Sequence, residues 1–248
     1  MSSDHVDYVR EGYLFYTGTQ GHLKDYQKAY EYFSKGVEAG DSNAMNSMGV
    51  LYLNGHGVPK DPRTAISWFL KALEANENNF YACKNLGNIY ENGTYVKRDV
   101  QTALRFYEHV IEESINHAPP YGDCCYSAGL LYLHDLKQYD VAESRFAKAR
   151  TCRDVVGASA GIAYMCEKNL LSRYRTVGRE ERRKTAFSLY MEDAKKGDPF
   201  AMDCVARIYC EIGGFQQAVP WLEKAAALDY APAKERLRNV RAHIRFTR

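Results

Sequence analysis

The residues that could act as metal ligands or nucleophiles include seven cysteines and seven histidines in a chain of 248 residues. A structural zinc site or a redox centre uses C-x-x-C pairs, whereas Cys124 and Cys125 are adjacent and Cys204 and Cys210 lie six residues apart. The histidines do not form the H-E-x-x-H pattern of a zinc hydrolase, and no G-x-x-x-x-G-K-[ST] loop is present to hold a phosphate. We therefore predict no catalytic residue, no metal site and no cofactor.

The cysteines also bear on the cellular compartment. An odd number of cysteines does not pair completely into a disulfide framework. The first residues, from Met1 to His5, are polar and lack the basic and apolar segments of an export signal. We therefore expect free thiols that pack as small apolar side chains, in a protein of the reducing cytoplasm.

Composition and charge narrow the class of partner. Hydrophobic residues make up 46% of the chain, which is enough to bury a core. The mean hydropathy is −0.49 and no apolar run approaches the roughly 18 residues of a spanning helix, so a membrane segment is not expected. The formal net charge of +2 is too close to neutral to indicate a general nucleic-acid or membrane surface. The expected partner is therefore another protein or a peptide.

One segment is nevertheless strongly basic. Residues 1–150 carry a net charge of −4 and residues 151–248 a net charge of +6, and the stretch from Lys168 to Lys184 supplies +5 of it. This stretch is either a solvated loop or helix extension, or a site for an acidic protein surface or a phosphate-rich ligand. Its single aromatic residue, Tyr174, disfavours nucleic-acid binding by base stacking. The candidate binding residues of this basic insertion are Arg173, Arg175, Arg179, Arg182 and Arg183.

The chain contains an internal repeat, and the repeat must be recognised before the fold is assigned. The segment Ala44–Ala72 recurs 38 residues later, with Gly87 in place of Gly49 and Tyr90 in place of Tyr52. One copy precedes it, and three more follow with altered loops. The predicted repeats are residues 5–40, 41–76, 77–117, 118–153, 154–197 and 198–230, followed by a capping helix at 231–248.

Each copy is predicted to form two antiparallel helices. Ala44, Met48 and Gly49 fall on one face of a helix with a period of 3.6 residues. The second helix begins near Asp61 and Pro62, which supply a capping oxygen and a first-turn proline. Because no copy can bury its aromatic face alone, the copies must stack. The predicted fold class is therefore an all-α solenoid in a single domain.

The combined pattern resembles Sel-one-like repeats, which are relatives of the tetratricopeptide repeats. Segment Ala44–Ala72 matches nearly every position of A-x-x-x-L-G-x-x-Y-x-x-G-x-G-V-x-x-D-x-x-K-A-x-x-W-x-x-K-A-A, and the resemblance extends over residues 5–235. The fourth copy lacks the G-x-G-V loop and the fifth has an insertion there. The resemblance implies a right-handed superhelix of helix pairs, with the first helices on the concave side, and an adaptor role in bacterial regulation, host interaction or complex assembly.

Residues three before, one after and four after the repeat glycine lie off the buried face, so we expect them to point into this concavity. They are either ordinary solvated positions or a partner-binding groove with an apolar centre and polar ends. The candidate partner-binding residues are Arg10, Leu14, Asn46, Val50, Leu53, Lys84, Asn88, Glu91, Tyr126, Leu130, Leu133, Asp203 and Arg207.

Three functional classes follow from these patterns. We predict a non-catalytic scaffold, a monomer or weak homodimer, that binds an extended or helical segment of a partner protein. The competing class is a penicillin-binding or β-lactam-hydrolysing enzyme, an activity assigned to cysteine-rich relatives that bridge both helices of every repeat with a cysteine pair. This sequence has no such regular pair. The third class is a bacterial effector or a toxin-neutralising protein.

Overall fold

A computed structural model describes residues 7–246, without the side chain of Phe246. Within these residues the regular structure is entirely helical, and the all-α fold class predicted from the sequence is confirmed. Residues 5 and 6 of the first predicted repeat and residues 247 and 248 of the predicted capping helix lie outside the described residues. The helices are α1 (Tyr8–Thr17), α2 (Tyr26–Glu38), α3 (Ser42–Asn54), α4 (Pro62–Ala75), α5 (Phe80–Asn92), α6 (Val100–Glu113), α7 (Tyr121–His134), α8 (Tyr139–Arg150), α9 (Ala158–Glu167), α10 (Arg179–Lys196), α11 (Pro199–Glu211), α12 (Phe215–Ala227) and α13 (Ala231–Phe246).

Repeated aspartates start the second helices of the first three pairs. The carboxylate of Asp61 accepts hydrogen bonds from the backbone N–H groups of Arg63 at 3.0 Å and Thr64 at 3.3 Å, and thereby caps α4. Asp25 and Asp99 cap α2 and α6 in the same way. Each cap satisfies donors that the helix leaves unpaired and contributes about 1 kcal/mol.

Glycine on the first helix lets an aromatic ring of the second helix approach closely. A Cβ atom on Gly49 would lie 2.5 Å from Cε1 of Phe69, and one on Gly87 would lie 2.4 Å from Cε1 of Tyr107. Both rings are completely buried. The contact between a small residue and a ring, predicted from the repeat, therefore holds these helix pairs together.

The chain divides into two compact units between Tyr121 and Gly122. In the first unit, each helix from α1 to α5 packs against the next one in the chain. In the second unit, consecutive helices from α8 to α13 pack together, and α13 also contacts α11. The ring of Phe146 on α8 lies against Gly129 of α7 and Gly161 of α9, so it ties both helices to α8.

The connections vary as the sequence indicates. Seven residues join α3 to α4, whereas four join α7 to α8. The longer connection from α9 to α10 contains a short 3-10 turn at Ser172–Tyr174. Helix α10 begins at Arg179, so the end of the basic insertion forms its first turns. None of the described helices is both long enough and apolar enough to cross a membrane.

Candidate functional site

In the first unit, several predicted partner-binding residues have structural partners. Asn46 is buried, and its Oδ1 accepts a hydrogen bond from Nδ2 of Asn85 on the next helix pair at 3.0 Å. The hydroxyl of buried Tyr107 donates to Oε2 of Glu91 at 2.6 Å and lies 2.7 Å from Oδ1 of Asn88. These contacts join neighbouring helices of the repeat, so they position α3, α5 and α6.

The other predicted residues of this unit are more accessible. Arg10 is exposed, and Leu14 and Lys84 are half-buried. Val50 and Leu53 are also half-buried and pack against the core cluster around Phe69. The first-helix face of this unit therefore combines core-edge apolar groups with polar groups.

In the second unit, the structure brings Tyr126, Leu130 and Leu133 together around one cavity of about 300 Å³. Its lining residues lie on α7, on α9 and just before it, and at the start of α11. Three residues of the predicted partner-binding row therefore line one cavity. The other lining residues, which the sequence analysis did not identify, are His134, Gly157, Gly161, Tyr164, Asp198 and Phe200.

Buried aromatic rings support two walls of this aromatic cavity. The ring of Tyr126 contacts that of buried Phe146, with centroids 5.8 Å apart. The ring of Phe200 meets the edge of buried Tyr190 at 6.2 Å, while 38% of the Phe200 surface stays exposed. Rings buried in the core of the helix pairs therefore hold these two walls of the cavity in place.

Two buried carboxylates lie close to the aromatic cavity. Asp198 caps α11, with Oδ1 accepting from the backbone N–H of Phe200 at 2.9 Å. Burial raises the pKa of the Asp198 carboxyl, and the nearby charge of Asp193 raises it further. Burial also raises the pKa of Tyr126, with further increases from Asp198 and Asp193. Negative charge therefore lies close to this side of the cavity, where Asp193 is ion-paired with the ammonium group of Lys196 at 3.6 Å.

A second cavity of about 310 Å³ lies at the other end of α9 and is charged. Arg207, one of the predicted residues, donates to Glu167 at 2.8 Å and to Glu211 at 2.7 Å. Although burial lowers the pKa of Arg207, the charge of Glu167 and the hydrogen bonds raise it above its ordinary value. The residues that line this charged cavity are Glu167, Lys168, Arg179, Arg183, Arg207 and Glu211.

Helix α9 connects the two cavities. The ammonium group of Lys168, in the charged cavity, lies 6.0 Å from the ring centroid of Tyr164, in the aromatic cavity. Gly161 and Lys168 are seven residues apart, and the helical rise of 1.5 Å per residue separates them by about 10 Å along the axis. A single extended segment of a few residues could therefore contact both cavities.

Asp203 has a structural partner in the second unit. Its buried carboxylate accepts from Nε of Arg236 at 2.8 Å and from Nη2 of the same residue at 3.2 Å. Arg236 lies on α13, so this bidentate ion pair attaches the last helix to α11.

The arginines of the basic insertion take different contacts. Arg173 pairs with Glu143, Arg182 donates to the carbonyl of Val177, and Arg183 lies 2.8 Å from Glu211. Arg175 and Arg179 are exposed. Three of the five predicted anion-binding side chains therefore contact groups of the protein itself.

The seven cysteines carry free thiols, and five of them are buried. Burial raises the pKa of Cys83 to about 11. Burial also raises the pKa of Cys204 to about 11. These thiols pack as apolar side chains, as the sequence analysis expects.

The family model described as "Sel1 repeat" matches residues 12–41, 42–77, 80–108 and 215–230. The matched segments include the first three helix pairs and the second helix of the sixth. None of the curated proteins compared with this sequence matches it.

Solved structures match over most of the chain. A Sel1 repeat protein from Oxalobacter formigenes is 26% identical, with 89% of this chain and 86% of that one covered and a TM-score of 0.70. Pseudomonas aeruginosa pilF is 18% identical, with 95% and 96% covered and a TM-score of 0.65. Yeast Tom70 is 16% identical, with 96% of this chain but 47% of that chain covered and a TM-score of 0.57. These findings confirm the resemblance to Sel-one-like repeats inferred from the sequence: four segments match the Sel1 repeat model, and the chain shares its fold with a solved Sel1 repeat protein.

Proposed function

We propose that this chain is a protein-interaction module that binds a segment of a partner protein on the first helices of its second unit. The observation that carries the proposal is the aromatic cavity formed by Tyr126, Leu130, Tyr164 and Phe200. Concave, largely apolar cavities with a few polar groups are the usual form of a binding site. Repeat folds of this type generally serve as protein-interaction scaffolds, which supports the same function.

The layout around the cavity also supports a peptide segment as the ligand. Phe200 lines the cavity with 38% of its surface exposed, which a partner can bury. The charged cavity next to it provides polar groups that fix the register of a bound chain. An apolar anchor beside a polar rim is the arrangement in which a few central residues dominate binding energy.

The chemistry of the thiols favours binding over a thiol-dependent reaction. A cysteine nucleophile acts as the thiolate, and its pKa is usually lowered at an electropositive, accessible site. Burial has the opposite effect on Cys83 and Cys204. Cys83 and Cys204 therefore do not fit the role of a thiol nucleophile.

The proposal is tested by selecting random peptides from a display library with the full chain. We expect the selected peptides to bind Phe200→Ala at least about tenfold more weakly than wild type, because truncation of a central aromatic anchor costs about 2 kcal/mol or more. Fluorescence anisotropy of the labelled peptides measures the dissociation constants.

Tyr81→Ala is the matched control. Tyr81 occupies the same repeat position as Phe200, one residue before the buried alanine of the first helix, and is 49% exposed. The Tyr81→Ala variant should bind the selected peptides with the same affinity as wild type. Equal loss in both variants, or no loss in either, would overturn the proposed site.

A further inference from the structure

We infer that the aromatic cavity receives a basic side chain, lysine or arginine, of the bound segment. This inference rests on the proposed function and names the chemistry of its anchor residue. Two features carry it: the cavity has apolar and aromatic walls, and a buried carboxylate lines it.

The walls suit the stem of a long basic side chain. The rings of Tyr126, Tyr164 and Phe200 and the side chain of Leu130 all line the cavity. The methylene groups of lysine or arginine pack on such surfaces, while the charged head group remains at a polar position. The face of an aromatic ring also attracts a cation within about 6 Å of its centroid.

The carboxylate of Asp198 supplies the polar position. Its Oδ1 caps α11, and an ionised carboxylate has about four acceptor sites on its two oxygens, so further hydrogen bonds can be accepted. Asp41 occupies the equivalent capping position of another repeat. It also follows a glycine, and its carboxylate accepts a hydrogen bond from the backbone N–H of Asn43 at 2.7 Å. Capping therefore accounts for an aspartate at position 198, but the aromatic walls around it are specific to this cavity.

A second carboxylate, Asp193, lies near Asp198 but is already paired with a cation. Asp193 is completely buried, and its Oδ2 accepts from the backbone N–H of Ala160 at 2.7 Å. The ammonium group of Lys196 forms an ion pair with its Oδ1 at 3.6 Å. The cation of the bound side chain is therefore assigned to Asp198, the carboxylate that lines the cavity.

Other anchor residues fit less well. An apolar side chain would complete the burial of Asp198 without providing a partner for its charge, which is costly. An acidic side chain would place a second negative charge beside that of Asp198. A basic side chain pairs with the carboxylate and packs its stem on the rings, so it is the anchor that both features favour.

The inference is tested with four capped amino acids as probes, the Nα-acetyl methylamides of lysine, arginine, norleucine and glutamate. Each is titrated into the full chain while the backbone amide resonances of Gly157 and Gly161, which line the cavity, are followed by NMR. We expect lysine and arginine to shift both resonances saturably, and norleucine and glutamate to bind at least about tenfold more weakly.

Asp198→Asn removes the charge and keeps the cap, because asparagine caps helices about as well as aspartate. The Asp198→Asn variant should bind the lysine and norleucine probes with similar affinity. Asp41→Asn makes the same exchange at the equivalent repeat position and should keep the preference for lysine. The inference is overturned if norleucine binds as tightly as lysine to wild type, if Asp198→Asn keeps the lysine preference, or if no probe shifts either resonance.

Failure of this inference is distinguishable from failure of the proposed function. If the selected peptides depend on Phe200 but carry an apolar anchor residue, the proposed binding function is supported and the inference of a basic anchor is refuted. Selected peptides that bind Phe200→Ala and wild type equally would refute the proposed site itself.

Discussion

At the residue scale, Asp198 combines a helix cap with a charge held in a poorly hydrated place. The backbone N–H of Phe200 stabilises the carboxylate, whereas burial and the charge of Asp193 destabilise it. The net effect raises the pKa of Asp198, so the folded state binds this proton more tightly than the unfolded chain does.

We expect Asp198→Asn to be at least as stable as wild type at neutral pH, because the cap persists and no charge is buried. As the pH rises above 3.8, the ordinary pKa of an aspartate, the unfolded chain loses the Asp198 proton first, because the pKa of Asp198 is higher in the folded state. The free energy of unfolding of wild type therefore falls from this pH up through the raised pKa of the folded state. The advantage of the variant should therefore grow over that window and vanish below it. Urea unfolding at acidic and neutral pH measures the difference, and a constant difference at every pH would contradict this linkage.

Gly87 illustrates a second residue-scale constraint. We expect Gly87→Ala to lower the free energy of unfolding by about 1–3 kcal/mol, because the added Cβ would lie 2.4 Å from the buried ring of Tyr107. Chemical denaturation measures the change. Gly178→Ala is the control, since a Cβ there meets no atom within 4 Å. An equal effect of both substitutions would show that close packing against Tyr107 is not the cause.

At the element scale, α13 is attached to the second unit by both apolar and ionic contacts. Ala233, Leu237 and Val240 are buried in the core cluster that also contains Tyr190. The carboxylate of Asp203 is buried beneath α13 and is neutralised by Arg236. This arrangement covers the apolar side of the last helix pair, as a terminal helix of a repeat array must.

We expect Arg236→Ala to destabilise the protein by about 1–3 kcal/mol, because it leaves the buried carboxylate of Asp203 without its partner. Amide hydrogen exchange should accelerate along α13 before it does so in α9 or α10. Arg238→Ala, at an exposed position of the same helix, should leave exchange unchanged. Uniform acceleration over the whole second unit would show that Arg236 does not act through α13.

At the scale of the whole molecule, polar side chains of the first helices hydrogen-bond within the fold in both units, as Asn46 and Asp203 do. In the first unit, amide and carboxylate side chains such as Asn46 and Glu91 hydrogen-bond within the fold. The aromatic and charged cavities are both built from residues of the second unit. The proposed binding site therefore has no lining residue in the first unit.

We expect Gly87→Ala to leave the affinity for the selected peptides within about twofold of wild type, under conditions where the variant is folded. The reason is that sites without shared contacts behave nearly independently, and Gly87 lies in the first unit. Anisotropy titration measures the affinity, with circular dichroism as the check of folding. A loss comparable to that of Phe200→Ala would place part of the binding site in the first unit.

Much of this architecture could be read from local sequence signals. The period of 3.6 residues, the capping aspartates such as Asp61 and the glycine at position 49 each act within one helix pair, so their spacing in the chain predicts their contacts. The same periodicity predicted that Tyr126, Leu130 and Leu133 share one helix face, and the three residues line one cavity. The family resemblance rested on these residues as well.

The partners of polar groups and the full lining of the cavity required the folded structure. Phe200 and Tyr164 join Tyr126 from two further helix pairs, and Asp203 meets Arg236 across 33 residues. A helical period indicates which face a side chain occupies, but it does not indicate which side chain of another pair lies opposite. The aromatic position before the repeat alanine, shared by Tyr81 and Phe200, is the signal that could have added Phe200. Local periodicity thus defined the helices and their buried faces, while packing between successive pairs determined which charges are neutralised and where a cavity remains.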